Sequence, residues 1–155
     1  MRRCSIAVAA ALVSFNAFAS EGITCAAVDE KTIAGLFDRW NDTLRTGTPA
    51  QIAALYADDA ILLPTLSNTP RYTTAQRVDY FNHFQAKRPR GHIDEHVVFL
   101  GCNVAVDAGV YTFTFDKEGG RVQARYTFTY AHDGERWRIT SHHSSAMPEP
   151  VESMP

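Results

Sequence analysis

The sequence predicts an α+β domain in which helices come first and a curved antiparallel sheet, wrapped around them as a cone, comes last. Two observations carry this. Apolar residues recur with a period near 3.6 as far as Gly91 and with a period near 2 beyond it. Glycine-rich turn signals then separate successive strand-like runs, so the strands form a meander and do not alternate with helices.

The first segment precedes the domain. Arg2 and Arg3 give a positive start, residues 6–13 are apolar, and Ala17-Phe18-Ala19 supplies the small-x-small pattern that signal peptidase reads. This layout predicts a signal peptide over residues 1–19 and a periplasmic or secreted destination. The alternative is an uncleaved buried helix. The apolar stretch is too short for an anchor, and no later run approaches the ~20 residues of a membrane helix, so no membrane partner is expected. Cys4 lies ahead of the apolar run and is not placed to take a lipid.

The domain is expected over residues 20–147, followed by a flexible tail over 148–155 that holds three prolines. Ile33, Leu36, Phe37, Trp40 and Leu44 share one face of a first helix that Asp29 can cap and Gly47 ends. Thr48-Pro49-Ala50-Gln51 reads as a capping box opening a short second helix through Tyr56. Residues 60–63 form a brief strand stopped by Pro64, and 67–70 a turn. Thr73-Thr74-Ala75-Gln76 is a second capping box, opening a helix with Val78, Phe81 and Phe84 on its apolar face.

Residues 92–100, 109–115, 121–130 and 136–144 read as strands, with hairpin turns at 117–120 and 132–135. Alternation assigns Tyr111, Phe113, Tyr126, Phe128, Ile139 and His143 to one face. It assigns Thr112, Arg125, Thr140, His142 and Ser144 to the other. The first face is aromatic. The second is rich in hydroxyls and suits a wet cavity or a subunit interface.

Charge excludes some partners. Without Arg2 and Arg3 the chain keeps 13 basic against 17 acidic side chains, a formal charge of −4. That gives no general attraction to nucleic acid or anionic lipid. Cys25 and Cys102 are the cysteines left after cleavage, and an oxidising compartment plus an even count favours a disulfide between them over two separate buried thiols.

Several stretches resemble one bacterial family. They include Leu36-Phe37-Asp38-Arg39-Trp40-Asn41, Leu62-Leu63-Pro64-Thr65, Gly101-Cys102-Asn103, Ala124-Arg125-Tyr126-Thr127-Phe128, and the run from Trp137 to Pro148. The chain is similar to the bacterial branch of the calcium/calmodulin-dependent protein kinase II association domains, within the nuclear transport factor 2-like or SnoaL-like superfamily. The resemblance implies a cone-shaped α+β fold that dimerises through its sheet. It also implies a deep pocket in which arginines take small carboxylates. By position one such arginine is Arg125, while Thr112 and Ser144 stand where others would be. No glycine-rich nucleotide loop, catalytic-loop aspartate or Asp-Phe-Gly is present, so no kinase activity is expected. Nor is there a basic amphipathic helix for calmodulin.

The residues offer a few candidates for chemistry. Arg125 needs an anion or an acidic partner, with Asp107, Asp116 and Glu95 as options. His142 is the candidate general acid/base, against a hydrogen-bonded structural role. His92, Asp94 and His96 would share a strand face as zinc ligands, but such spacing is common in edge strands, and neither metal nor cofactor is expected. Ser144 and Ser145 lack a nucleophile elbow. Arg71 could reach over a pocket mouth.

Three readings follow. The leading one is an exported domain that forms homodimers or larger assemblies and admits a small polar or anionic ligand beside Arg125, Thr112, His142 and Ser144. The second is a SnoaL-like isomerase, dehydratase or cyclase with His142 as base. The third is a purely structural oligomer with a filled cone.

Overall fold

The computed structural model describes residues 24–149 apart from Glu118. The expected signal peptide, residues 20–23 and residues 150–155 of the tail lie outside the described residues.

Helix α1 spans Glu30–Thr46. Asp29 caps it by accepting from the Thr32 N–H at 2.7 Å, and Gly47 ends it. Its apolar stripe buries Ile33, Phe37, Trp40 and Leu44, as the spacing predicts. Helix α2 (Pro49–Ala53) and helix α3 (Thr74–Gln85) both start with complete capping boxes, from Thr48 with Gln51 and from Thr73 with Gln76. Helix α2 stops before Tyr56, which instead opens strand β1 (Tyr56–Leu63), so the first strand is longer than the run 60–63 expected for it. Strands β2 (Pro89–Gly101), β3 (Val104–Phe115), β4 (Arg121–His132) and β5 (Trp137–Ala146) complete a sheet of order β1-β5-β4-β3-β2. Strands β2 to β5 are antiparallel neighbours, whereas β1 runs parallel to β5. A parallel neighbour needs a long crossover, and the whole length of the meander provides it.

The aromatic face meets the helices. Tyr111, Phe113, Tyr126, Phe128 and Tyr130 close over Phe37, Trp40 and Phe81 in one buried cluster. Trp40 stands edge-on to Phe81, Phe113 and Phe128, with ring centroids 5.7–6.2 Å apart.

Bulges bend this sheet. In β2 the register slips between Ile93 and Glu95, leaving Asp94 as the extra residue. Gly109 lies opposite, where a Cβ would stand 2.0 Å from the Glu95 carbonyl oxygen, so only glycine fits. In β5, Thr129 pairs with Ser141 and Tyr130 with Ile139, which makes Thr140 extra. That second bulge overturns the simple alternation expected of β5. Ile139 faces the core, and so do His142 and Ser144, while His143 is turned outward and exposed. A one-residue slip exchanges the two faces for everything beyond it.

Strand β1 is irregular between Tyr56 and Ile61. The carbonyls freed there are taken by Arg77 of α3, whose Nη2 donates to Ala57 O at 2.9 Å and Asp58 O at 3.1 Å and whose Nη1 donates to Ala60 O. Arg77 is fully buried, and burial pushes its pKa down from the ordinary value. A guanidinium here substitutes for missing ladder bonds.

Cys25 and Cys102 form a disulfide with Cα atoms 4.9 Å apart. Cys102 lies in the tight β2–β3 turn, not in a strand. Asn103, held at φ 58°, reinforces the clasp: its side chain accepts from Ala26 N at 2.7 Å and donates to Thr24 O at 2.9 Å. The bridge spans 77 residues of sequence. In the chain-entropy account a loop that long contributes about 4.5 kcal/mol. Urea unfolding of a Cys25→Ser/Cys102→Ser double variant is therefore expected to show a loss of about 2–5 kcal/mol at unchanged fold. A loss below about 1 kcal/mol would show that the Asn103 contacts alone hold the segment.

Candidate functional site

The polar groups that the helices and sheet bury against one another begin at Trp40. An indole N–H can only donate, and it donates to the Tyr56 hydroxyl at 3.1 Å. The Tyr56 proton is then directed to His142 Nδ1, 3.0 Å away. Among the described residues His142 Nδ1 is the acceptor in reach of the Tyr56 proton, so pairing every buried proton assigns the imidazole proton to Nε2, 3.5 Å from the Tyr111 hydroxyl. Beside Tyr111, Ser144 and Thr65 share a short hydrogen bond. Four elements, α1, β1, β5 and β3, thus contribute to one relay.

Its surroundings are apolar. The His142 ring stacks on Phe128 with centroids 3.9 Å apart and meets Trp40 edge-on at 5.4 Å. Burial, aided by the neighbouring His143, lowers its pKa to about 3. His142 is therefore a neutral imidazole at physiological pH, with one nitrogen occupied by Tyr56 and the other carrying its proton. That is a poor arrangement for a general base and a good one for a fixed donor. Burial also pushes the Tyr56 and Tyr111 hydroxyls well above the ordinary tyrosine range.

A cavity of about 40 Å³ adjoins the end of this relay. Thr65, Ser144, His142 and Tyr111 form its polar end, and Tyr80, Phe84 and Phe113 stand among its walls. It opens at Leu66, a lining residue that is 65% exposed. Burial pushes the Tyr80 hydroxyl up to about 12, opposed by Arg71, whose guanidinium lies 5.5 Å over the Tyr80 ring. Arg71 is held at this edge by a backbone bridge to Leu62 and by donating to Ser67 Oγ and Thr69 O.

A second polar cluster lies on the same inner face. Asp107, fully buried, accepts from the Tyr126 hydroxyl at 3.0 Å and pairs with His96 Nδ1 at 3.0 Å. Its Oδ2 and the Tyr130 hydroxyl are buried without a partner among the described residues.

The four residues expected to share a ligand do not meet. His142 and Ser144 face the cavity, whereas Thr112 and Arg125 face the opposite side of the sheet. Arg125 is exposed and pairs with none of Asp107, Asp116 or Glu95. Asp107 is taken by His96, and Asp116 by Arg90 at 2.8 Å. Thr112 is buried and donates to Asp94 at 2.7 Å, a carboxylate that also accepts from Gln123. The β2 bulge separates Asp94 from His96, which turns inward to Asp107, so His92, Asp94 and His96 do not converge. Sequence reasoning missed Trp40 and Tyr56 as partners of His142 and Thr65 as the partner of Ser144, and no local pattern signals them. Asp107 did carry a signal, as a lone carboxylate in the apolar run 104–110.

Comparison with known proteins places these features in context. The model of the calcium/calmodulin dependent protein kinase II association domain matches residues 29–148. A Xanthomonas campestris protein described as such an association domain is 46% identical, with TM-score 0.76, covering 83% of this chain and 99% of its own. A protein of the nuclear transport factor 2-like fold from Pseudomonas putida, of unknown function, is 20% identical at TM-score 0.67, with coverage of 79% and 89%. Another, from Novosphingobium aromaticivorans and with a cystatin-like fold, is 11% identical at TM-score 0.66, with coverage of 79% and 84%. The last two show the fold alone. Among curated proteins no significant match is found.

The buried neutral His142 makes stability depend on pH. Its folded pKa lies below the ordinary value, so the unfolded chain binds more protons between the two. The stabilising contribution is whole above about pH 6.5 and is lost as pH falls toward 3. Between about pH 7.5 and 5.5 this residue alone is expected to remove about 1.4 kcal/mol. Chemical unfolding at both pH values should show that loss, and His142→Gln should abolish most of it. Equal acid sensitivity in the variant would assign the effect to another group.

Proposed function

Because the chain belongs to the calcium/calmodulin dependent protein kinase II association-domain family, we propose that it is an exported domain that self-associates through its open sheet face and carries a small-ligand pocket at His142 and Ser144. The observation that carries the assembly reading is the outer face of the sheet. Among the described residues the helices cover the inner face only. On the other side Phe99, Val97 and Val104 are 61%, 50% and 43% exposed. The register sets them beside Val106, Ala108 and Val110, with Thr127, Thr129 and His143 further along the same surface. An apolar tract of this kind, bordered by hydroxyls, suits an isologous contact with a second copy. Such a contact would place Arg125 and Thr112 at the subunit boundary, a use for them that needs no ligand.

Export is supported by the charged, apolar and small-residue pattern of residues 1–19 and by the Cys25–Cys102 disulfide, which persists in an oxidising compartment. No helix among the described residues is long and apolar enough to cross a membrane. The pocket reading rests on the cavity at the end of the relay, whose polar groups are already oriented.

The assembly reading is tested by sedimentation of the chain beginning at Ser20, up to about 100 μM. A dimer or larger species is expected. Phe99→Glu should shift it to monomer while leaving the far-UV circular dichroism spectrum unchanged, since the side chain it replaces is exposed. A wild-type chain that stays monomeric throughout would defeat the proposal.

A further inference from the structure

Three arginines line a polar groove of about 360 Å³ where the end of α1, the α3–β2 link and the start of β2 come together. They are Arg45, Arg88 and Arg90, and Thr46, Gln85 and Asp116 complete the polar lining. The groove shares no residue with the cavity beside His142.

Arg88 occupies a position that does not suit its type. Its φ is 53°, in the left-handed region, and it closes α3 by donating its N–H to Gln85 O at 2.9 Å. Glycine or asparagine is the ordinary occupant of such a position, because a Cβ there crowds the backbone. The turn itself therefore gains nothing from arginine. Its carbonyl accepts from Asp116 N at 3.2 Å and the buried Pro89 follows, so the backbone beneath the side chain is fixed. The Arg88 guanidinium has no hydrogen-bond or ion-pair partner among the described residues. A cation left unpaired on strained backbone points to a role toward something outside the chain.

The other two guanidinia keep donors in reserve. Arg90 gives Nε and Nη2 to Asp116 Oδ2 at 3.0 and 2.8 Å, which leaves most of its N–H groups unused. Arg45 lies 3.6 Å from Asp42, an exposed pair of the kind that yields readily to a better acceptor. The carbonyls at the end of α1 would repel an anion, but they are occupied. Gln85 Nε2 donates to Leu44 O at 2.8 Å and to Gly47 O at 2.9 Å. A planar carboxylate takes one guanidinium fork, as Asp116 does with Arg90. Three guanidinia from three parts of the chain suit an anion whose oxygens point in several directions.

We propose that this groove binds a phosphoryl group, carried on a phosphate ester or a diphosphate and held by Arg88 together with Arg45 and Arg90. The site is separate from the pocket at His142 and does not depend on it.

The test titrates inorganic pyrophosphate and succinate calorimetrically into the oxidised chain beginning at Ser20, in about 0.15 M salt so that loose surface attraction is screened. Pyrophosphate is expected to bind at least about tenfold more tightly than succinate. Arg88→Gly should weaken it about tenfold while the thermal midpoint holds or rises, because glycine relieves the backbone. Asp116→Asn should tighten it about threefold, since the change removes a like charge and frees the Arg90 fork. Flotation with phosphatidylcholine vesicles, with and without phosphatidic acid, separates the sources. Capture by the phosphatidic acid vesicles that requires Arg88 assigns a lipid headgroup, and pyrophosphate binding without capture assigns a soluble phosphate compound. Absence of both pyrophosphate binding and capture, or binding that Arg88→Gly leaves unchanged, would overturn the site. Succinate binding as tight as pyrophosphate would overturn the phosphoryl class. Weakening by Asp116→Asn would overturn the part given to Arg90.

Discussion

The indole N–H of Trp40 has one proton to give and no lone pair to offer, and the interior of this protein is arranged around that restriction. Trp40 donates to Tyr56, and the Tyr56 proton finds its acceptor in His142 Nδ1, which assigns the imidazole to the Nε2–H tautomer. The same three side chains join α1, β1 and β5, the elements that a β1–β5 parallel pair must bring together at the sheet's edge. Around them Phe128, Phe81 and Phe113 exclude water, so each unmet polar group would be costly and each met one is rigid.

The sheet has two faces with separate chemistry, and bulges decide who belongs to which. The inner face is an aromatic floor interrupted by two polar groupings, the His142 relay and the Asp107–His96–Tyr126 cluster. The outer face carries valines, threonines, Phe99 and Arg125, and among the described residues no helix lies over it. Assembly and ligand capture would then use opposite sides of one sheet. A partner bound outside need not obstruct the cavity, and a ligand inside need not disturb the contact.

Two non-ladder devices hold the edges of this arrangement. Arg77 reaches under β1 to take the carbonyls that its irregular pairing leaves over, so the strand can bend without exposing unsatisfied backbone. At the far corner the Cys25–Cys102 disulfide and the Asn103 side chain secure the segment before α1 to the β2–β3 turn. Both act where the regular hydrogen-bond ladder ends.

Much of the fold was legible along the chain because its causes are local. Asp29, Thr48 and Thr73 cap helices through residues three positions away, and the change of period from about 3.6 to 2 marks where helices yield to strands. The aromatic alternation of β3 and β4 needed no partner to be read. The candidate site was legible only in part: His142 and Ser144 were named, but with Arg125 and Thr112, and without Trp40, Tyr56 or Thr65. A single extra residue at Thr140 decides this, because side-chain facing has a period of two and one insertion reverses it for the rest of the strand. Nothing in the letters of β5 marks the bulge; it exists only when β4 lies alongside. The sequence by itself determined the helices, the strands and the aromatic core face, through short-range spacing and capping. Only the tertiary structure decided which polar residues meet, because hydrogen-bond partners up to 86 residues apart are chosen by how strands pair and not by how they are spelled.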